Sequence, residues 1–239
     1  MFKKLSIFLV IALATTLSAA TMGPAVELTV GGTPVALSTP EPIKLEDGGQ
    51  AWVYDPFNND INFEVSSLIF SFKEDPYVDY AIAVKNFGAV PLSFSFTFLT
   101  PYAGGPYFLL DSSHSSSVTD SSPTNGAVTV ALDKKGSIHT PNLDGVDILG
   151  GALGAGCAPV GAKGFSAGCE APAGVVGLPV ATLAAGTLSV TVNFTLSPGD
   201  IYTANGRVEI YNNPIPEPST YAMAIGGLGL LLAFRRLRA

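Results

Sequence analysis

The sequence predicts an all-β fold: an antiparallel β-sandwich between an N-terminal signal peptide and a short C-terminal transmembrane helix. Three observations carry this. Apolar and polar residues alternate with period two in several interior segments. No uninterrupted helical pattern of useful length lies between the two ends. Both ends pair an apolar run with basic residues, in opposite order.

The leader Met1-Phe-Lys-Lys4 is basic, Leu5 to Ala14 is apolar, and small residues follow from Thr15 to Ala20. That succession is a secretory signal peptide over residues 1–20. Ser18 and Ala20 fall at the −3 and −1 positions, which places cleavage after Ala20.

The exported domain follows, residues 21–213. From Leu188 to Leu196 every second residue is apolar, with Ser, Thr or Asn between, so one face is buried and the other wet. Phe94, Phe96 and Phe98 repeat the design, as do Val78, Tyr80, Ile82 and Val84, and Val128, Val130 and Leu132. Between the Val78 and Phe94 segments, Lys85 to Pro91 carries the Asn and Gly that turns need, which predicts a hairpin. Between Ile61 and Phe72 the apolar parity shifts at Ser66-Ser67, as at a β-bulge or a bend between sheets. Further strands are expected at Val26–Val30, Ala51–Tyr54 and Arg207–Tyr211, with a turn at Ser197-Pro-Gly-Asp200. Val175 to Ala185 is ambiguous, because Gly177 and Pro179 weaken a helix there. Ser112–Asn125 reads as a mobile surface loop, and residues 144–179 as a long Gly/Ala/Pro-rich loop.

That second loop holds both cysteines, Cys157 and Cys169, and an even pair in an exported chain reads as a disulfide. Closing so short a loop contributes on the order of 3 kcal/mol in the chain-entropy description.

Removing the basic residues of the leader and tail leaves seven basic side chains against 19 acidic ones, a net charge of −12. So acidic a surface argues against nucleic acid and anionic lipid surfaces as partners and is compatible with polysaccharide.

Catalytic signatures are absent. His114 lies in Ser112-Ser-His-Ser-Ser-Ser117 between Asp111 and Asp120, but nothing there resembles a nucleophile elbow. His139 reads as a strand-end or loop histidine. Asp144-Gly-Val-Asp147 and Asp55 to Asp60 offer the oxygens calcium prefers without EF-hand spacing, and turns use the same residues, so no metal site is assigned. Trp52, Tyr54 and Phe57 either fill the core or stack on sugar rings. No cofactor is expected.

The last 26 residues, 214–239, have three parts. Pro214, Pro216 and Pro218 hold an extended backbone, with Glu217 between the last two. Ser219-Thr220 supply an N-cap. Tyr221 to Phe234 is an uncharged run of 14 residues, about 21 Å as a helix against a hydrocarbon core of about 30 Å. Arg235, Arg236 and Arg238 close the chain as a cytoplasmic stop and can snorkel to lengthen a short span. A short motif, an apolar segment and a basic end share the logic of a processed anchor signal.

Ile215-Pro216-Glu217-Pro218-Ser219-Thr220, the Gly-rich helix and Arg235-Arg236 together resemble the PEP-CTERM sorting domain of Gram-negative bacteria, also described as an ice-binding-protein C-terminal motif. The resemblance implies recognition by an exosortase of the envelope, with Pro216, Glu217 and Pro218 as the signature. It implies a protein handed over by the secretion machinery, an inner-membrane single-pass precursor that ends at the cell surface or outside. Such proteins are associated with exopolysaccharide and biofilm. The expected function is a non-enzymatic structural or binding component of the envelope or matrix; the alternative is a secreted carbohydrate-active enzyme delivered by the same tail.

Overall fold

The computed structural model describes residues 23–58, 62–73, 76–103, 107–120, 128–129, 136–154, 166–169, 173–182 and 185–212. The signal peptide, its cleavage site at Ala20, Cys157, the sorting residues Pro216, Glu217 and Pro218, the segment Tyr221–Phe234 and the three tail arginines lie outside the described residues. Among the described residues no helix is long and apolar enough to cross a membrane.

The strands in chain order are β1 (Ala25–Val30), β2 (Thr33–Val35), β3 (Ile43–Lys44), β4 (Gln50–Tyr54), β5 (Phe57–Asn58), β6 (Phe63–Lys73), β7 (Tyr77–Asn86) and β8 (Leu92–Ala103). They continue as β9 (Leu109–Thr119), β10 (Val128–Thr129), β11 (His139–Leu143), β12 (Val146–Asp147), β13 (Ser166–Gly168), β14 (Ala173–Pro179), β15 (Ala185–Leu196) and β16 (Ile201–Tyr211). Among the described residues a 3-10 turn, Leu149–Gly151, interrupts them.

All described pairings are antiparallel, in two sheets. One sheet runs β12-β11-β15-β8-β1-β2, with β10 also on β15; the other runs β13-β9-β16-β7-β6-β4-β3, with β14 also on β9 and β5 on β6. The inward faces meet in one apolar core. Phe94 lies opposite Phe194 across β8 and β15, their rings 5.2 Å apart and nearly parallel. Phe194 in turn meets Tyr202 of the other sheet at 4.3 Å. Each such aromatic buries enough apolar surface to contribute roughly 1.5–3 kcal/mol, and this packing between sheets is what holds the sandwich shut.

The parity shift at Ser66-Ser67 is a β-bulge: the β6–β7 register slips between Val65 and Ser67, and Ser66 is exposed. The expected hairpin over Lys85–Pro91 does not form. β7 pairs with β6 and β16, whereas β8 pairs with β1 and β15, so this turn crosses between the sheets. Asn86, fully buried, makes the corner. Its amide donates to the carbonyls of Val90 and Leu196, and its side-chain oxygen accepts the Gly88 N–H.

Two loop assignments also change. Ser112 to Thr119 belongs to β9, an eleven-residue strand in the interior of its sheet. Its inward positions are Leu110, Ser112, His114, Ser116 and Val118, so its buried face is largely polar and an apolar alternation does not reveal it. Within residues 144–179 the chain forms β12, the 3-10 turn, β13 and β14, the last two against β9. Cys169, buried and disulfide-bonded, donates its amide to the Ser116 carbonyl at the end of this excursion. Val175 to Pro179 is strand, bulged between Val175 and Leu178.

The registers bring many strand ends to one end of the sandwich. Tyr211 lies beside Leu109, Glu209 beside Tyr77, Tyr77 beside Lys73, and Phe72 beside Gln50. The described chain therefore enters the sandwich at Pro24 and leaves it at Asn212 from this end, hereafter the tail end.

Candidate functional site

Two constellations stand out, one sealed and one open. The sealed one starts from a glycine. Gly206 of β16 lies in register between Tyr80 of β7 and His114 of β9. A Cβ there would stand 2.6 Å from the Tyr80 hydroxyl and 2.8 Å from the Ser113 carbonyl. Its missing side chain opens the path by which Tyr80 Oη crosses β16 to reach His114 Nδ1 at 2.9 Å. The same hydroxyl lies 2.8 Å from His139 Nδ1. His139 Nε2 contacts Ser112 Oγ at 3.0 Å, and Ser112 donates to the Gly151 carbonyl at 2.8 Å.

Each hydroxyl has one hydrogen, so the directions are fixed. Ser112 gives its proton to Gly151, so His139 Nε2–H must donate to Ser112. His139 Nδ1 is then an acceptor and takes the Tyr80 proton, and His114 Nδ1–H donates to Tyr80. The result is one chain of neutral groups, with His114 Nε2 left as a lone pair that has no partner. That nitrogen faces Gly154, whose φ of +83° and missing side chain make room for the ring; a Cβ there would lie 2.8 Å from His114 Cδ2.

Burial pushes His114 down to about 4 and His139 down to about 3, His139 being further lowered by the neighbouring His114. Burial likewise raises Tyr80 well above the ordinary phenol range. All four side chains are buried, and the Tyr80 ring is stacked on Phe98 at 4.9 Å. Ser112 and His139 have the separation of a nucleophile and its base, but the hydroxyl is committed to a carbonyl and closed off from solvent. The arrangement is a polar brace between the sheets, tying β7, β9 and β11 together.

The open constellation is a cleft of about 740 Å³ at the tail end. Pro24, Pro40 and Pro42 form its apolar walls with Pro101, Trp52 lies at its base, and Gln50 and Lys73 bring polar groups to it. Trp52 sits edge-on to Phe70 at 5.6 Å and to Phe72 at 5.2 Å and is only 8% exposed. It fills the core and presents its remaining surface to the cleft. Tyr54 is buried beside it and Phe57 half-buried. Among the described residues that line the cleft there is no carboxylate. Nearby, Asp47 accepts from the Gly49 N–H and from the Tyr77 hydroxyl. The Gly49 amide, then Tyr77 and Lys73, hold its carboxyl below the usual range against the opposing effect of desolvation.

The acidic turn weighed for calcium has another task. Asp144, at φ +52°, accepts from the Thr187 N–H and the Tyr102 hydroxyl, both at 2.8 Å, and Asp147 accepts from Asn142. Asp60, of the other acidic stretch, lies outside the described residues. Among the described residues no group of three or more His, Cys, Asp or Glu could hold a metal ion.

Residues 214–239 match the family model of the PEP-CTERM protein-sorting motif. The tail is a PEP-CTERM sorting motif. In the sequence it starts at residue 214, three positions after Tyr211, the last residue of β16. A PEP-CTERM motif marks a secreted protein whose precursor is anchored at the membrane and processed for export. Among curated proteins none matches this chain significantly. Among solved structures, the C-terminal CBM6 of LamC, a marine laminarinase from Zobellia galactanivorans, overlaps 77% of this chain and 99% of its own. At 10% identity and a TM-score of 0.19 that likeness bears no weight on function.

Proposed function

We propose that the chain is an exported, non-enzymatic component of the extracellular matrix or cell surface. Its PEP-CTERM tail is cut by an exosortase, and its β-sandwich binds neutral polysaccharide at the tail-end cleft. The tail is the observation that carries this reading, since a PEP-CTERM motif implies export and exosortase processing. Binding rather than hydrolysis is the reading we adopt: cleavage of a glycosidic bond needs two carboxyl groups about 5–10 Å apart, and among the described residues that line the cleft there is no such pair. The base and walls of the cleft are apolar, with amide and ammonium donors beside them, which suits a sugar chain bound by its faces and hydroxyls. The net charge of −12 favours neutral over acidic polymers.

Mass spectrometry of protein recovered from membrane, cell surface and medium tests the sorting half. Extracellular protein is expected to lack the arginines of the tail, and an extracellular chain still ending at Ala239 would overturn it. For the cleft, a titration with dextran followed by the fluorescence of Trp52, the single tryptophan of the chain, is expected to saturate. An unchanged signal would remove the cleft as the binding site.

A further inference from the structure

We propose that in the uncut chain the tail-end cleft is occupied by the chain's own segment Pro214-Ile-Pro-Glu-Pro218, so that removal of the tail is what frees the cleft. The proposal rests on the reading of that cleft as a binding site and adds its regulation.

Placement is the first support. β16 delivers the chain to the tail end at Tyr211, and the cleft opens there between β4, β6 and β8. Glu209, Tyr77 and Lys73 lie side by side on β16, β7 and β6, so Lys73 is two strand spacings from β16, about 10 Å. Glu217 is six residue steps beyond Tyr211, and at the ~3.1 Å rise of an extended proline-rich chain those steps reach about 19 Å. The segment arrives with length to spare.

The chemistry of the two surfaces is the second support. Three prolines in five residues hold a backbone that makes no hydrogen bonds to itself, so its carbonyls face outward as acceptors. Grooves that take such segments combine apolar walls with a few donors, and this cleft sets four prolines and Trp52 beside Gln50 and Lys73. Restricted prolines lose little freedom on docking, and a short tether supplies an effective concentration on the order of millimolar. Glu217 is the only acid of the segment, and Lys73 is the cation among the described residues that line the cleft. Asp47 neighbours the same lysine, but its two oxygens already accept from Gly49 and Tyr77.

The test uses the full chain in detergent micelles and reads Trp52. The wild type is compared with a variant in which Pro214, Pro216 and Pro218 are all changed to Ala, a change confined to the tail. In the wild type Trp52 is expected to be less quenched by acrylamide. Adding a synthetic peptide of residues 213–220 to the variant is expected to restore the wild-type signal with saturation. Lys73→Glu should weaken that peptide about two- to fivefold, and a Glu217→Lys peptide should recover the loss. Equal quenching of wild type and variant, with no response to peptide, overturns the proposal. If dextran then still shifts Trp52, tail docking alone falls. If dextran also does nothing, the cleft reading falls with it.

Discussion

Lowering the pH from 7.5 to 5.0 should destabilise the folded domain by about 4 kcal/mol, and the two histidines are the reason. The chain has only two, His114 and His139, and both are buried and neutral. Unfolded, each titrates near 6.5; folded, burial holds them down at about 4 and about 3. A depressed histidine pKa means that the unfolded chain takes up protons which the folded one refuses. Stability is therefore full above pH 6.5 and falls as the pH drops, until the folded values are reached. At pH 5.0 the unfolded state lies 1.5 pH units below its own pKa, worth about 2 kcal/mol per histidine and about 4 kcal/mol for the pair. That figure depends only on both folded values lying below 5. Of two carboxylates that shift, Asp47 is held below its ordinary value and contributes only at lower pH, whereas burial raises Asp79, which offsets part of the loss. Urea denaturation at the two pH values measures the difference. His114→Gln should roughly halve the pH-dependent loss whatever it does to stability at pH 7.5. A wild-type loss below about 1 kcal/mol, or a loss unchanged in His114→Gln, would refute the neutral buried chain.

Other outcomes follow from the same geometry. Gly206→Ala drives a methyl group against the Tyr80 hydroxyl and the Ser113 carbonyl and should cost about 1–3 kcal/mol in urea denaturation, far more than an exposed Gly→Ala change. Asn86→Ala strips three hydrogen bonds from a buried corner and should cost about 3 kcal/mol by thermal denaturation, leaving far-UV circular dichroism that of a β protein. Replacing Pro216, Glu217 and Pro218 together by Ala should leave the full-length precursor in the membrane fraction, read by mass on the intact chain; normal release would deny those residues their sorting role.

Sequence alone revealed the strands whose buried face is apolar. Leu188 to Leu196 and Phe94 to Phe98 carry their burial in their composition, and both lie where alternation puts them. It concealed β9, whose inward row of Ser112, His114 and Ser116 is polar; that row becomes intelligible only once Tyr80, His139 and Gly151 are known to face it. The alternation is nonetheless there, since Leu110 and Val118 share parity with His114. The pairing of β7 and β8 was misread because a turn sequence such as Asn86-Phe-Gly88 bends the chain equally well within one sheet or between two. The cleft had no local signature, because Pro24 and Pro101 come together through the register of β1 and β8, and Trp52 reaches the cleft from the other sheet. The tail, by contrast, is a linear motif that composition and order disclose directly.

The strand that carries the tail is not at an edge. All eleven residues of β16 pair with β9, and Ile201 to Glu209 also pair with β7. Its last residue is further latched, the Tyr211 hydroxyl donating to Asp111 and its carbonyl accepting from Phe108. A pull applied through the tail would thus load two long ladders in shear, so that many bonds must fail together, whereas an edge strand would peel away one bond at a time. A domain tugged by its tail during export, or held against flow at a surface, has its handle fastened to a strand bonded on both sides.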